Sequence, residues 1–349
     1  MIIGIDVHKH THTAALLDRA SGEVATLTFA NSSDGVARLR DWLAERGGAE
    51  TVVGIENAAG YGRPLVAALL AAGHEVLTVP SWRTHRDRDL VGPGKSDAGD
   101  ATAIAEVVLR KRSELGPAAE PDLVRAMALL ETLRRQSVAQ RTQAIQRLRA
   151  IWTQVDPEGE REVTHLHRQR PLRKLRRIRF GDDRAEQTAA RCVRELAREI
   201  ESLNQRIGTL EAEMAELLTE HGNPLADLAG AGPQVAAAVV AHAGDVRRFR
   251  SQAAFARFCG VAPIPCGSGQ SDGRHRLHRG GNRQLNAALH RIAIVQARVS
   301  PQAQAFLARK RDEGKTAREA RRALKRHLAN VVFKRLVAWA PDALEPAST

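Results

Sequence analysis

Four acidic residues in the first hundred positions could together bind a metal ion for phosphoryl transfer. Asp6 ends the first apolar run of the chain, and Glu56 ends a second one. Asp97 and Asp100 stand three residues apart at the start of an Ala/Val/Leu-rich stretch, so their side chains share one helix face. Carboxylate oxygens suit Mg²⁺, or Mn²⁺ in its place, and two such ions about 4 Å apart can clamp an in-line phosphoryl displacement.

Each of these acids also has an ordinary structural explanation. Acids at strand ends are common in turns and as helix caps, and paired acids at a helix start favour the helix macrodipole. Their order is more specific than any single one of them. An acid ending the first strand, an acid ending a later strand and a paired-acid helix together form the arrangement of ribonuclease-H-like nucleases and recombinases.

The elements that position these acids are indicated by apolar runs and turn residues. Residues 1–7, 13–17 and 23–29 predict three neighbouring strands. They are followed by a helix capped by Ser32 or Ser33, a strand at 51–56, a helix at 64–72 and a strand at 74–80. This order predicts a mixed α/β, ribonuclease-H-like domain rather than a purely parallel Rossmann sheet. The basic stretch 81–95 is either a solvated loop or a phosphate contact.

Long helices follow from about residue 121. Residues 123–155 have helical composition, and a second stretch repeats apolar residues at steps of three and four: Val193, Leu196, Ile200, Leu203, Ile207, Leu210, Met214 and Leu217. Such a seam is typical of a coiled coil. The two helices either fold back as an antiparallel hairpin or pair with another subunit.

A basic segment separates the two long helices. Its cationic residues are Arg168, Arg170, Arg173, Lys174, Arg176, Arg177 and Arg179. We call these seven residues the basic arm. Such a density of positive charge predicts contact with nucleic acid, and RNA is as good a partner as DNA because arginine-rich segments often order on RNA.

A mainly helical C-terminal region begins near residue 223. Gly230 and Gly232 precede an Ala/Val helix and are similar to the turn of a helix-hairpin-helix, whose backbone N–H groups bind a phosphate. An ordinary tight connection between helices is the alternative. Residues 315–339 predict a basic amphipathic helix that completes the core, and Arg321, Arg322, Lys325 and Arg326 are candidate nucleic-acid contacts.

Three segments resemble the acidic motifs of DEDD transposases of the insertion-sequence family one-hundred-and-ten. They are Gly-Ile-Asp-Val-His-Lys at 4–9, Gly-Ile-Glu-Asn-Ala at 54–58 and Lys-Ser-Asp-Ala-Gly-Asp-Ala at 95–101. The resemblance runs from residue 1 to about Leu336. It implies a RuvC-like domain followed by a transposase domain, with the four acids as metal ligands.

A second signature of the same family lies in residues 258–271 and 279–285, which carry a Gly-Val-x-Pro turn, a Ser-Gly pair and a Gly-Asn-x-x-Leu helix start. The resemblance implies that Ser268 is the nucleophile that joins to DNA, and a shifted match would make it Ser271. A loop whose serines are merely solvated is the alternative. The resemblance also implies a structured bridge RNA that pairs with donor and target DNA.

Composition limits the partners. The chain has 349 residues, a net charge of +13 and a pI near 10.6, which favours a polyanion such as nucleic acid. No stretch predicts a membrane span or a signal peptide, so we expect a cytoplasmic protein with no membrane partner. The three cysteines predict free thiols. His8, His10 and His12 alternate and predict a solvated strand face, without a metal site.

These observations predict three domains: a RuvC-like DEDD domain at 1–118, a helical coiled-coil arm at 119–222 and a transposase domain at 223–349. The first functional hypothesis is a DNA transposase that acts as a homo-oligomer, either a dimer or a tetramer. The second is a metal-dependent, structure-selective endonuclease similar to a Holliday-junction resolvase. A third, an actin-like ATPase or sugar kinase, lacks a second phosphate loop.

Overall fold

The structure is a computed structural model that describes residues 1–18, 24–46, 51–58, 60–81, 83–84, 96–118, 121–265, 275–277 and 280–343. Contacts divide the chain into two compact units. The first consists of Met1–Pro121 with Asp245–Ala254, and the second of Asp122–Gly244 with Phe255–Thr349. Each unit is described by itself.

The first unit contains a six-stranded mixed sheet. Its strands are β1 (Ile2–Val7), β2 (Thr11–Leu17), β3 (Val24–Ala30), β4 (Val52–Glu56), β5 (Glu75–Val79) and β6 (Gly116–Pro117), in the order β3-β2-β1-β4-β5-β6. The first three strands pair antiparallel, β1, β4 and β5 pair parallel, and β6 is antiparallel to β5. The predicted mixed α/β architecture is confirmed, with each predicted strand placed to within two residues.

Three helices accompany this sheet: α1 (Ser33–Ala44), α2 (Arg63–Ala71) and α3 (Asp97–Lys111). Of the two serines predicted to cap α1, Ser32 does so, and its hydroxyl accepts a hydrogen bond from the Gly35 N–H at 3.2 Å. Ser96 caps α3 in the same way through the Gly99 N–H. Each cap satisfies a backbone donor that the first helical turn leaves unpaired.

Side-chain alternation divides β1 between two apolar clusters. Ile3, Ile5 and Val7 belong to the cluster that contains residues of α1 and α2, whereas Ile2 belongs to the cluster formed with α3. Because successive residues of a strand point to opposite faces, Gly4 and Asp6 lie on the α3 face with Ile2. The same alternation places Glu56 on the face of Gly54.

Helix α3 packs against β1 and β4 at the positions of two glycines. Gly4 and Gly54 are register partners in the parallel pair. A Cβ on Gly4 would lie 2.1 Å from the carbonyl oxygen of Ala101, and a Cβ on Gly54 would lie 2.3 Å from a methyl carbon of Val108. Only glycine at these two strand positions lets α3 pack this closely against β1 and β4.

The second unit is mainly helical. Its helices are α4 (Asp122–Val155), α5 (Pro157–Glu162), α6 (Gln169–Leu175), α7 (Arg184–Glu220), α8 (Pro233–Ala243), α9 (Gln252–Phe258), α10 (Arg283–Val299), α11 (Pro301–Asp312) and α12 (Ala317–Ala343), and α9 begins in the last residues of the first unit. A short antiparallel hairpin joins β7 (Pro263–Pro265) to β8 (His275–Leu277). Short 3₁₀ turns occur at Arg112–Glu114 and Val246–Arg248 of the first unit.

Helices α4 and α7 form an antiparallel hairpin within the chain. Arg134 donates a hydrogen bond to Glu211 at 3.3 Å, and Arg141 donates one to Asn204 at 2.8 Å. The later residue of α4 thus contacts the earlier residue of α7, as antiparallel helices require. Of the two arrangements left open by the sequence, the chain adopts the first. The buried residues of α7 are Ala190, Val193, Ala197, Ile200, Leu203, Ile207, Leu210, Met214 and Leu218.

The predicted seam is wrong at two positions. Leu196 and Leu217 are only half-buried, and Ala197 and Leu218 take their places in the interface. The predicted pattern alternates strictly between steps of three and four, whereas the buried residues of α7 do not keep that alternation. Small Ala197 is buried, and the larger Leu196 lies at the edge of the interface.

A buried ion pair lies within α4, and its arginine also contacts Glu211 of α7. Glu131 is 2% exposed and accepts two hydrogen bonds from Arg134, at 2.7 and 3.1 Å. Burial alone would raise the pKa of Glu131, but its partners lower it to about 2. The nearest His242 nitrogen is 3.9 Å away, too far for a hydrogen bond, so we attribute the lower pKa mainly to Arg134.

The substitution Gly4→Ala tests the packing of α3. Because the new Cβ would overlap the helix backbone, we expect a loss of roughly 1–3 kcal/mol of stability, measured as a lower denaturant midpoint of the full chain. Gly208→Ala is the matched control, since its Cβ meets nothing within 4 Å and alanine stabilises a helix by up to about 1 kcal/mol. Equal stability of Gly4→Ala and the wild-type protein would contradict this packing.

Candidate active site

The four predicted acids come from three elements of the first unit. Asp6 and Glu56 stand near the carboxyl ends of the adjacent parallel strands β1 and β4, just after the paired residues Ile5 and Ile55. Asp97 and Asp100 lie in the first turn of α3, which crosses the same two strands. We call these four residues the acid cluster. Asp100 is 9% exposed, whereas the side chain of Asp97 is mostly exposed.

The pKa of Asp6 reflects the charges of the other members of the acid cluster. Burial raises the pKa of the Asp6 carboxyl above its usual value, and the nearby His8 ring opposes part of that rise. The negative charges of the other three acids raise it further: Asp100, Glu56 and Asp97. The charge of each of these three acids acts on the Asp6 carboxyl, and the structure places the four predicted residues at the ends of β1 and β4 and in the first turn of α3.

His8 lies between two members of the acid cluster. Its Nε2 atom is 3.1 Å from a carboxylate oxygen of Asp6 and 3.6 Å from one of Asp97. These three side chains each offer a ligand atom, and the three atoms lie within 4.8 Å of one another. Carboxylate oxygens and imidazole nitrogen are both ligands of divalent cations, so the donor set fits such an ion.

Glu56 is oriented by a residue from the basic stretch after β5. Thr84 is fully buried, and its hydroxyl donates a hydrogen bond to Glu56 at 2.9 Å. The neighbouring Arg83 is also buried and bonds to Glu114 at 2.9 Å, which lowers the pKa of Glu114. Arg83 is therefore a structural residue rather than a solvated or phosphate-binding one, while residues 85–95 lie outside the described part of the chain.

The predicted solvated face of three histidines is wrong. His8 and His10 lie in the turn between β1 and β2, and His12 is fully buried in β2. Burial lowers the pKa of His12, whose ring packs against that of its cross-strand partner Phe29 with centroids 5.4 Å apart. The alternating pattern did not predict the burial of His12, because β2 is covered on both faces.

The basic arm is exposed in the second unit. All seven of its cationic side chains face solvent, on α6 and the segments beside it. Within the part of the chain that the structure describes, Arg176 alone among the seven has a salt bridge, to Glu201 at 3.4 Å. Leu172 and Leu175 are buried beneath them and hold α6 on the helical hairpin. The arm thus presents positive charge on a packed support.

Gly230 has a packing role that the helix-hairpin-helix hypothesis did not include. Its φ is +88°, and a Cβ there would lie 2.8 Å from Val295 and 3.0 Å from the Ile292 backbone in α10. Gly232 differs, because it caps α8 with open space around it. The turn is therefore shaped by contact with α10 at Gly230, and only Gly232 leaves room for a ligand.

Ser268 and Ser271 lie outside the described residues, and the segments on either side of them are well fixed. The Asn282 side chain caps α10 by accepting from the N–H groups of Gln284 and Leu285. A Cβ on Gly281 would lie 2.3 Å from Gly260, so these two turns are in direct contact. The Gly-Asn-x-x-Leu signature is thus a helix start packed against the Gly-Val-x-Pro turn.

The thiols show no sign of a catalytic role. Cys259 is buried, and burial raises its pKa to about 12, so it stays protonated. Cys192 and Cys259 are both free, as predicted, and Cys266 lies outside the described part of the chain. No helix among the described residues combines the length and the apolar character needed to cross a membrane.

Comparison with known proteins identifies the family. Residues 3–157 match the model of the IS110 DEDD transposases, and residues 222–308 match the model described as Transposase IS116/IS110/IS902 family. The first match contains the whole acid cluster, and the second contains Ser268. Together they cover well over half of the chain.

Curated relatives extend over nearly the full length. The chain is 28% identical to an uncharacterized 42 kDa protein of insertion element IS900 from Mycobacterium paratuberculosis, across 95% of this chain and 94% of that protein. It is 26% identical to a 44.8 kDa protein of IS116 from Streptomyces clavuligerus, across 99% and 98% of the two chains. With both family models matched in order, the chain belongs to the IS110 family of insertion-sequence transposases and is a DNA transposase.

Proposed function

We propose that this transposase cleaves and exchanges DNA strands at a divalent-metal site formed by the acid cluster, with Ser268 as the nucleophile. The observation that carries the proposal is the group formed by Asp6, His8 and Asp97, whose ligand atoms lie within 4.8 Å of one another, while the charges of Glu56 and Asp100 also act on Asp6. Like charges gathered at one place repel one another in a folded protein, and a bound cation would relieve that repulsion. Mg²⁺ is the proposed ion, with Mn²⁺ as a substitute.

The sheet supports assignment of the first unit to the RuvC-like class. Three consecutive antiparallel strands are followed by parallel strands, and the acids stand at the ends of β1 and β4 and on α3. This is the arrangement expected of a ribonuclease-H-like enzyme. We likewise propose that the α4–α7 hairpin is a coiled-coil arm, and that the domains are residues 1–118, 119–222 and 223–349.

The roles of the individual side chains follow from their contacts. A bound divalent ion would polarise the scissile phosphodiester and stabilise its developing charge. Asp6 and Asp97 would hold it, with His8 placed to join them, while Thr84 keeps Glu56 oriented. The Ser268 oxygen would bond to phosphorus as the bond from phosphorus to the sugar oxygen breaks, so the phosphate remains in an ester that a second strand can attack.

Guidance by RNA and self-association complete the proposal. The basic arm is exposed and packed on a stable hairpin, which suits contact with a folded RNA as well as with donor and target DNA. Exchange between two DNA ends needs more than one active site, which supports a dimer or a tetramer. A structure-selective endonuclease remains the alternative function, and it needs neither a serine adduct nor a guide.

Neutral replacement of the acid cluster should abolish DNA cleavage without unfolding the protein. We expect this for Asp6→Asn, Glu56→Gln, Asp97→Asn and Asp100→Asn, each of which removes an anionic ligand and also relieves repulsion in the metal-free protein. Mg²⁺ at 100 times its Kd should stabilise the wild-type protein by about 2.7 kcal/mol, and Asp6→Asn should lose that effect. Asp41→Asn on the exposed side of α1 is the control. Near-normal cleavage by any two of the four variants would refute the assignment.

The identity of the nucleophile can be read from a denaturing gel. Full-length protein is mixed with labelled cognate DNA, Mg²⁺ and guide RNA, and a covalent adduct migrates slowly. Ser271→Ala should keep the adduct and Ser268→Ala should lose it. The reverse pattern would move the nucleophile to Ser271. An adduct from both variants would remove serine catalysis at this loop, and cleaved DNA with no adduct from the wild-type protein would favour the endonuclease.

Removing charge from the basic arm should change the salt dependence of binding. With Arg173, Arg176 and Arg177 changed to Gln and Lys174 to Met, the slope of log affinity against log salt should flatten by about 0.7 to 0.9 for each phosphate that the arm no longer neutralises. The control removes four exposed charges elsewhere in the second unit, at Arg191, Arg198, Arg206 and Arg309. A slope equal to that of the wild-type protein would mean that the arm is only solvated.

A further inference from the structure

The second unit contains a cavity whose lining is almost entirely basic. It has a volume of about 230 Å³ and is enclosed by residues of α10, of α12 and of the turn before β7. Its lining residues are Val261, His290, Arg318, Arg321, Arg322 and Lys325. Five of these six can carry positive charge. The three arginines are exposed, so the cavity is accessible from solvent.

The basic residues of α12 converge because of their spacing. Residues three, four and seven positions apart lie on one helix face, and Arg318, Arg321, Arg322 and Lys325 follow that pattern. The facing helix α10 contributes His290 from the opposite wall. The cationic side chains therefore line a common space between the two helices while remaining accessible to solvent.

Lys325 is held in place by hydrogen bonds. The Asn286 side-chain N–H₂ donates to the carbonyl oxygens of Cys259 and Gly260, at 3.1 and 3.0 Å. This fixes the amide so that its oxygen accepts from the Lys325 ammonium. The cavity is thereby tied to the turn that leads into the β7–β8 hairpin and hence to the serine loop along the chain.

These charges have little compensation. Among the described residues, no carboxylate lies within salt-bridge distance of the five basic groups, and the nearby Glu319 is bonded to Thr316. Burial, followed by the charge of Arg322, lowers the pKa of Lys325. Burial, followed by Lys325 and Arg321, lowers the pKa of His290. The cavity thus concentrates cations that repel one another, a condition that a bound anion relieves.

We infer that this cavity binds a single phosphate of the DNA backbone. The protein is a DNA transposase, so DNA is the polyanion that it must hold. Among the lining residues that the structure describes, Val261 is the only apolar one, and the single ring, that of His290, stands among four cationic side chains, so the cavity suits a phosphate better than a stacked base. The inference does not depend on Ser268 or on the acid cluster.

Salt-dependent binding of a short DNA duplex, measured without divalent metal so that no cleavage occurs, tests the inference. Arg321→Gln combined with Lys325→Met should flatten the log-log slope by about 0.9, the value for one phosphate. A decrease of about 1.8 would mean two separate phosphates and would overturn a shared site, as would an unchanged slope. A decrease seen with an RNA duplex but not with DNA would overturn the assignment to DNA.

A matched control excludes a general effect of charge. Arg298→Gln combined with Lys334→Met removes the same two charges from exposed positions of α10 and α12 outside the cavity. It should keep the wild-type slope, and an equal decrease would overturn a specific site. If the double variant misfolds, Arg321→Gln alone supplies the test, because it changes an exposed residue. The log-log slope of that single variant should flatten, by at most about 0.9.

Inorganic phosphate supplies a readout that needs neither DNA nor catalysis. In the full-length protein at constant ionic strength, phosphate in place of chloride should raise the pKa of His290, because a bound anion stabilises the imidazolium form. The ring is followed by NMR and assigned through its loss in His290→Gln. Lys325→Met should weaken the response. An identical titration in phosphate and in chloride would refute the phosphate site, whatever the outcome of the serine and metal experiments.

Discussion

The arrangement of the first unit depends on the close contact between α3 and two glycines. Gly4 and Gly54 are neighbours in the parallel pair of β1 and β4, and a side chain at either one would overlap atoms of the helix. With the helix this close, its first turn reaches the strand ends. Burial raises the pKa of Asp6, and the charges of the neighbouring carboxylates raise it further. Each of these glycines precedes a strand acid by two residues. Because side chains alternate along a strand, the glycine and the acid lie on the same face of the sheet, the one that α3 covers.

Much of this could be predicted from the sequence because it is local. An apolar run ending in an acid predicts a strand with a fixed carboxylate, and Asp-x-x-Asp at a helix start predicts one helix face. The order of the elements then predicted the mixed sheet. Strand register and the depth of helix packing could not be predicted, because both depend on contacts between distant segments. The pairing of Gly4 with Gly54 therefore appears only in the fold.

The residues that sequence reasoning missed also depend on contacts that only the fold creates. His8 was assigned to a solvated strand face, yet it lies in a turn that brings its ring to Asp6. Thr84 carried no signal, since its role depends on reaching Glu56 from a segment 28 residues later. For Gly230 the sequence left open a phosphate-binding turn and an ordinary tight connection between helices, and the contact with α10 was not predicted by either. A signal for His8 was available, because it stands two residues after the first acid of a matched motif.

The charged clusters of the molecule differ in whether they pair opposite charges or gather charges of one sign. Glu131 is buried but paired with Arg134, so the chain supplies the countercharge and the pair belongs to the core. Such a pair can be complete without any ligand. The acid cluster and the cavity lined by α12 each gather charges of one sign, and the pKa values of Asp6 and Lys325 move in the directions that reduce the repulsion. A folded chain that gathers like charges into two clusters of opposite sign is suited to a ligand that carries phosphate and recruits cations, and nucleic acid has both properties.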